Sequence, residues 1–239
     1  MAASFTQVRR ALRTHADPAK AKLLKTFFKT GKGQYGEHDK FWGIPVPVLR
    51  TVARQFTQLP LRDISVLLKS PVNEERMTAL LILVGQYNAG NSRQRQNIYK
   101  FYLRRAARIN NWNLVDASAH HIVGAHLHGK DKAVLKRLAR SEILWERRIA
   151  MVATWHDIQK GEHDTALVIA EILLDDAHDL MHKAVGWMLR EVGKRSSQQA
   201  LEDFLRRHHK AMSRTTLRYA IERFPLSKRR AYLYNTPYA

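Results

Sequence analysis

Proline stands at positions 18, 45, 47, 60, 71, 225 and 237, so the chain runs from Val72 to Phe224 without one. Proline lacks the N–H that a helix interior needs and clashes with the preceding turn, so a stretch this free of it is where helices run uninterrupted. Within it apolar residues recur at helical spacing, as in Ile98, Phe101, Tyr102 and Ile109, or Ala166, Ile169, Ala170, Leu173 and Leu174. No segment there sustains the two-residue alternation of a half-buried strand. The pattern predicts an all-α chain with breaks at Asn88-Ala89-Gly90, His128-Gly129-Lys130, Gln159-Lys160-Gly161 and Lys194-Arg195-Ser196-Ser197.

Four segments begin with a large or basic residue ahead of an apolar run: Arg76-Met-Thr-Ala-Leu-Leu, Trp112-Asn-Leu-Val-Asp, Arg147-Arg-Ile-Ala-Met-Val and Lys183-Ala-Val-Gly-Trp-Met. Their first residues are 36, 35 and 36 positions apart. Each interval leaves room for one more helix, predicted over Ser92 to Ala107, Asp131 to Arg140 and Asp164 to Ala177. One further step reaches the candidate helix Ser213 to Arg223, and one step back reaches Phe41-Trp42-Gly43-Ile44-Pro45. A helix-pair repeat of this period predicts a right-handed solenoid of stacked pairs, a single domain over 1–239 with a less repeat-like helical cap over 1–45.

Composition says what such a fold is for. The 239 residues carry 41 Lys+Arg against 21 Asp+Glu, a formal charge of +20, while 45% hydrophobic residues supply a core. That excess calls for an acidic partner. With no cysteine, a disulfide scaffold, a thiolate nucleophile and thiolate zinc sites are excluded. The first residues mix Phe5, Val8 and Leu12 with Arg9, Arg10 and Arg13, unlike a secretory signal, and the longest apolar run, Ala79 to Val84, is far short of a membrane span. The expectation is a cytoplasmic chain without membrane contact, at the nucleoid in a bacterium.

Counted from each segment's first residue, Trp112 lies at 0, Asp116 at +4, Arg148 at +1, Trp187 at +4 and Arg190 at +7. At ~100° per residue these positions share one broad face of equivalent helices. Two indoles, one carboxylate and two guanidinium groups are therefore expected on one basic concave groove. Trp145 and Trp155 read as core.

These strings also carry a resemblance. Asn111-Trp112-Asn-Leu-Val-Asp116, Trp145-Glu-Arg-Arg148-Ile-Ala-Met and Lys183-Ala-Val-Gly-Trp187-Met-Leu-Arg190-Glu are similar to the three motifs of the AlkD-type alkylpurine DNA glycosylases, which are built of HEAT-like repeats. Phe41-Trp-Gly-Ile-Pro-Val-Pro-Val-Leu-Arg50 and Met212-Ser-Arg-Thr-Thr-Leu-Arg-Tyr-Ala-Ile-Glu222 extend the likeness over nearly the whole chain. The resemblance implies that Asp116 is the catalytic carboxylate, with Trp112 and Trp187 as aromatic walls at the lesion sugar. It implies Arg148 and Arg190 as contacts to the DNA backbone, Arg148 counting in the catalytic set through the flanking phosphate; Arg147 and Lys183, the basic residues that open their segments, are also expected to bind DNA. It also implies excision from a base still stacked in double-stranded DNA.

The chemistry is coherent by itself. Purines alkylated at N3 or N7 are cationic and leave without protonation, so one carboxylate that stabilises the oxocarbenium-like sugar and orients water suffices. Indole faces favour a cationic sugar or base by ~0.5–2 kcal/mol each. No nucleotide cofactor and no metal is expected, because Gly31-Lys32-Gly33-Gln34-Tyr35-Gly36 is not a phosphate-binding loop and His120-His121, His126, His128 and His208-His209 fall in no HExxH pattern. No lysine stands out as a Schiff-base nucleophile. Two other readings share parts of this evidence: a non-catalytic HEAT-like module binding branched or damaged DNA, and a protein scaffold, which leaves the charge unexplained. A single-chain solenoid needs no second subunit, so a monomer is expected.

Overall fold

A computed structural model describes residues 3–234, so the sequence-based limits 1 and 239, together with Pro237, lie outside the described residues. Those residues form helices and no strand; one isolated parallel bridge joins Lys40 to Val72. They fall into two compact units that part between Ser118 and Ala119. The sequence pattern, taken as one domain over 1–239, carries no mark of that boundary.

The first unit contains α1 (Phe5–Arg13), α2 (Pro18–Phe27), α3 (Val46–Gln55), α4 (Leu61–Leu68), α5 (Asn73–Ala89), α6 (Ser92–Leu103) and the short α7 (Trp112–Asp116). The prolines of this region start helices: Pro18 is the first residue of α2, and Pro45 and Pro60 immediately precede α3 and α4, positions where a missing N–H costs nothing. Asp17 caps α2 by accepting from Lys20 N, and Asn91 caps α6 by accepting from Gln94 N. Helix α5 packs against α3, α4, α6 and α7. The pairing is that of successive helix pairs, and α5 is buried along most of its length, with Ala79, Leu80, Ile82 and Leu83 in the core. Each such leucine or isoleucine side chain contributes ~1.5–3 kcal/mol on burial.

In the second unit a π-helical turn, His120–Gly124, runs into α8 (Ala125–Leu127), followed by α9 (Ala133–Ala139), α10 (Leu144–Ala153), α11 (Trp155–Ile158), α12 (Asp164–Ile172), α13 (Asp179–Arg195), α14 (Gln198–His208), α15 (Arg214–Ala220) and α16 (Leu226–Tyr234). Helices α10, α13 and α15 pack side by side in one row; α9 packs on α10 and on α12, and α12 and α14 on α13. This is the 36-residue period in three dimensions, since Arg147 and Lys183 lie in the first two turns of α10 and α13. The close approach of α13 to α15 depends on Gly186, where a Cβ would sit 2.6 Å from Thr216 O.

Helix ends differ from the sequence expectation for identifiable reasons. The segment expected over Ser92 to Ala107 stops at Leu103, where the chain tightens into a 3-10 turn over Ala106–Arg108. The one expected from Asp131 starts at Ala133, because the Asp131 carboxylate accepts from Ala133 N and holds the approach outside the helix. The one expected to reach Ala177 stops at Ile172, releasing Asp176 to pair with Arg147. Ser213 is a cap, accepting from Thr216 N, and its helix ends at Ala220.

Candidate nucleic-acid interface

The Asn111–Asp116 segment of the first unit is set by a buried polar network. Asn111, fully enclosed, donates from Nδ2 to Asp39 Oδ2 at 2.8 Å. Asp39 Oδ2 also accepts from Asn73 Nδ2 at 2.9 Å, and Oδ1 takes Arg76 Nη2 at 2.5 Å. Asn113 donates to Asn73 Oδ1 at 2.8 Å. The residues on both sides of Trp112 are thereby tied to the first turn of α5.

Trp112 is half-buried. Its indole stacks on Phe28 at 5.0 Å, Phe28 stacks on Phe41 at 4.8 Å, and Nε1 donates to Tyr35 Oη at 3.2 Å. Exposed Phe27 meets it edge-on at 5.8 Å. Asp116, the last residue of α7, is also half-buried. Nearby Tyr102 is enclosed and its hydroxyl pairs with Ser118 Oγ at 2.9 Å. Burial pushes the Tyr102 pKa up, the Ser118 contact opposes this, and the charge of Asp116 adds to it.

Glu74, the second residue of α5, performs a different task. Its Oε1 accepts from the backbone N–H groups of Trp42, Gly43 and Ile44 at 3.0, 2.8 and 3.3 Å, while burial raises its pKa against these contacts. Only glycine fits at 43, where φ is +82° and a Cβ would lie 2.1 Å from Asp17 O. Glu75, next in line, binds Arg9 through both oxygens at 2.6 and 2.9 Å and ties α1 to α5.

In the second unit the expected phosphate contacts are held differently from one another. Arg147, read from the sequence as a phosphate contact, binds Asp176 through Nε and Nη2 at 2.6 and 3.4 Å and donates from Nη1 to Ser141 O and Glu142 O. Four of its five N–H bonds are used inside the protein, which makes it a brace between the start of α10 and the turn before α13. Arg148, expected at a phosphate, is 5% exposed and donates from Nη1 to Leu180 O at 2.6 Å. Arg190 pairs with Glu222 and with Glu191 at 3.3 Å, and its buried Nε has no partner. Lys183 pairs with Asp179 one turn away at 2.7 Å and remains accessible. Trp187 meets Trp155 edge-on at 5.1 Å, and Trp155 leans on His120 at 4.7 Å, whose ring lies 3.8 Å from that of His121. Trp145 is buried as expected; Trp155 is half-buried and belongs to this ring cluster.

The braces at Arg76 and Arg147 are the same device, 71 residues apart. In each, an arginine Nη1 donates to the carbonyl of a serine six positions earlier, Ser70 or Ser141, and the serine Oγ accepts from the backbone N–H two residues on, Val72 or Ile143. The string Ser-x-Val/Ile-x-x-Glu-Arg marks it at both places. That string was the available signal for this brace; Asp39, its acidic partner in the first unit, has no local signal at all.

A family model described as DNA alkylation repair enzyme matches residues 8–224. Comparison with curated proteins gives no match. Among solved structures, a predicted DNA alkylation repair enzyme from Enterococcus faecalis superposes with a TM-score of 0.70 at 17% identity, covering 89% of this chain and 98% of that one. The likeness to that structure is one of fold, and the match over residues 8–224 places the chain in the DNA alkylation repair enzyme family.

Proposed function

We propose that the protein is a monofunctional glycosylase that binds duplex DNA and hydrolyses the N-glycosidic bond of cationic N3- or N7-alkylated purines, with Asp116 as the catalytic carboxylate. The observation that carries this reading is α7 itself: an indole and a carboxylate, Trp112 and Asp116, stand one turn apart on a five-residue helix whose start is pinned through Asn111 to Asp39. A rigid acid beside an aromatic face in a +20 chain has little use in pure phosphate binding. It suits a positive charge developing on a sugar, which the carboxylate stabilises while orienting water.

In this reading Trp112 stands at the sugar beside Asp116, Lys183 and Arg190 neutralise phosphates by exchanging their carboxylate partners for DNA, and Arg147 and Arg148 hold the start of α13. The base leaves as a neutral purine and needs no general acid, and the likeness to the alkylpurine glycosylases implies excision without turning the base out of the stack. The test is release of N7-methylguanine from duplex DNA. Wild type is expected to release the base, and Asp116→Asn to retain DNA binding but lose ~10²-fold or more in rate. Undiminished activity of Asp116→Asn, or no release by wild type, overturns the assignment. Borohydride is expected to trap no covalent complex, because no lysine acts as nucleophile.

A further inference from the structure

Two sharp turns in the second unit bring together three side chains that base excision leaves without a task. His128 closes α8 immediately before Gly129, at φ +67°, and Glu162 follows Gly161, at φ +85°, on the turn into α12. Between them lies Asp157 of α11, 4% exposed. His128 Nδ1 is 2.9 Å from Asp157 Oδ1 and 3.8 Å from Glu162 Oε2, and one ligand atom from each residue falls within 4.8 Å of the others. Among the described residues this is the group with metal-ligand geometry.

We infer that His128, Asp157 and Glu162 form a binding site for a divalent transition-metal ion, with Zn²⁺ as its natural occupant. Donor atoms around tetrahedral Zn²⁺, at bond lengths of ~2.0–2.2 Å, stand ~3.3–3.6 Å apart, between the two separations observed. The ion replaces the proton shared by His128 Nδ1 and Asp157 Oδ1, which passes to water, and a water molecule completes the shell. One imidazole nitrogen and two carboxylate oxygens without sulfur suit Zn²⁺ and exclude a soft Cu(I) site.

The surroundings prepare these ligands. Lys132 Nζ binds Asp157 Oδ2 at 2.8 Å and Leu127 O at 2.7 Å, so it turns the carboxylate and leaves Oδ1 directed at His128. The backbone N–H groups of Lys160 and Glu162 both donate to Asp157 O, at 2.9 and 3.0 Å, and fix the turn that carries Glu162. The Lys132 charge works against a second cation, so the site holds the ion less tightly than a closed four-ligand structural zinc site. The absence of HExxH and of cysteine did not bear on it, because His128 and Asp157 are 29 positions apart.

The test uses the full chain, stripped with chelator and titrated with Zn²⁺ by calorimetry and with Co²⁺ by visible absorption. One ion per chain is expected, with the d–d bands of an N/O-ligated Co²⁺ and a rise in Tm on adding Zn²⁺. His128→Gln and Glu162→Gln should each weaken binding by ~10-fold or more, while His15→Gln, at an exposed position, leaves it unchanged. Glu162 projects into solvent, so its substitution leaves the fold intact. Absence of saturable binding, or equal binding by wild type, His128→Gln and Glu162→Gln, overturns the inference.

Discussion

The side-chain amide of Asn111 donates to the carboxylate of Asp39 at 2.8 Å across a sequence separation of 72 residues. The same carboxylate neutralises Arg76, whose side chain is equally enclosed. Asp39→Ala therefore strands a buried guanidinium and should lower stability by ~3–5 kcal/mol in urea unfolding. Adding Arg76→Met should recover part of that loss, because the unpaired guanidinium is then removed. If Asp39→Ala proves as stable as wild type, the network does not hold α7 as described.

Arg147 and Lys183 make opposite predictions. Arg147→Ala leaves the buried Asp176 carboxylate without its guanidinium, with the His178 N–H still donating to it, at a cost of ~3 kcal/mol, yet the salt dependence of DNA binding should not change. Lys183→Ala should move stability by less than ~0.5 kcal/mol and reduce the slope of log affinity against log salt by ~0.9. Anisotropy titrations at several salt concentrations, beside melting curves, separate the two behaviours.

Gly186→Ala tests the packing of the repeats. The added methyl meets Tyr219 Cβ at 2.5 Å and Thr216 O at 2.6 Å, atoms that cannot swing aside. Although alanine is the better helix former, overpacking at α13 and α15 should destabilise the chain by ~1–3 kcal/mol. A more stable Gly186→Ala would mean that the two helices do not approach as closely as this.

His178 gives the second unit a dependence on pH. Its Nδ1 accepts from Leu180 N and caps α13. Burial holds its pKa below the ordinary value of 6.5, with the charge of Asp176 opposing. The unfolded chain takes up the proton first, so this contribution to stability is complete above that value and declines as pH falls through it. Tm should drop as pH falls below about 6.5, and His178→Asn, which keeps a cap acceptor, should flatten the curve. Burial also lowers the pKa of His126 and His156, so a residual slope is expected. An unchanged curve for His178→Asn would remove His178 as its source.

Short-range physics made much of this protein legible in its sequence. The proline-free interior and the apolar spacing depend on neighbours within a few turns, and with the 36-residue recurrence at Arg76, Trp112, Arg147 and Lys183 they led to helices stacked in pairs. The same spacing marked Trp112 and Asp116 as one turn apart. What each polar group binds was decided elsewhere in the chain. Asp39 meets Arg76 and Asn111, Arg147 meets Asp176, and His128 meets Asp157 only after helices far apart in sequence have packed. Arg147 and Lys183 look alike as basic residues at the head of a repeat. Burial separates them, because a guanidinium turned inward must find a carboxylate, whereas an ammonium at the surface is shared between its neighbour and water.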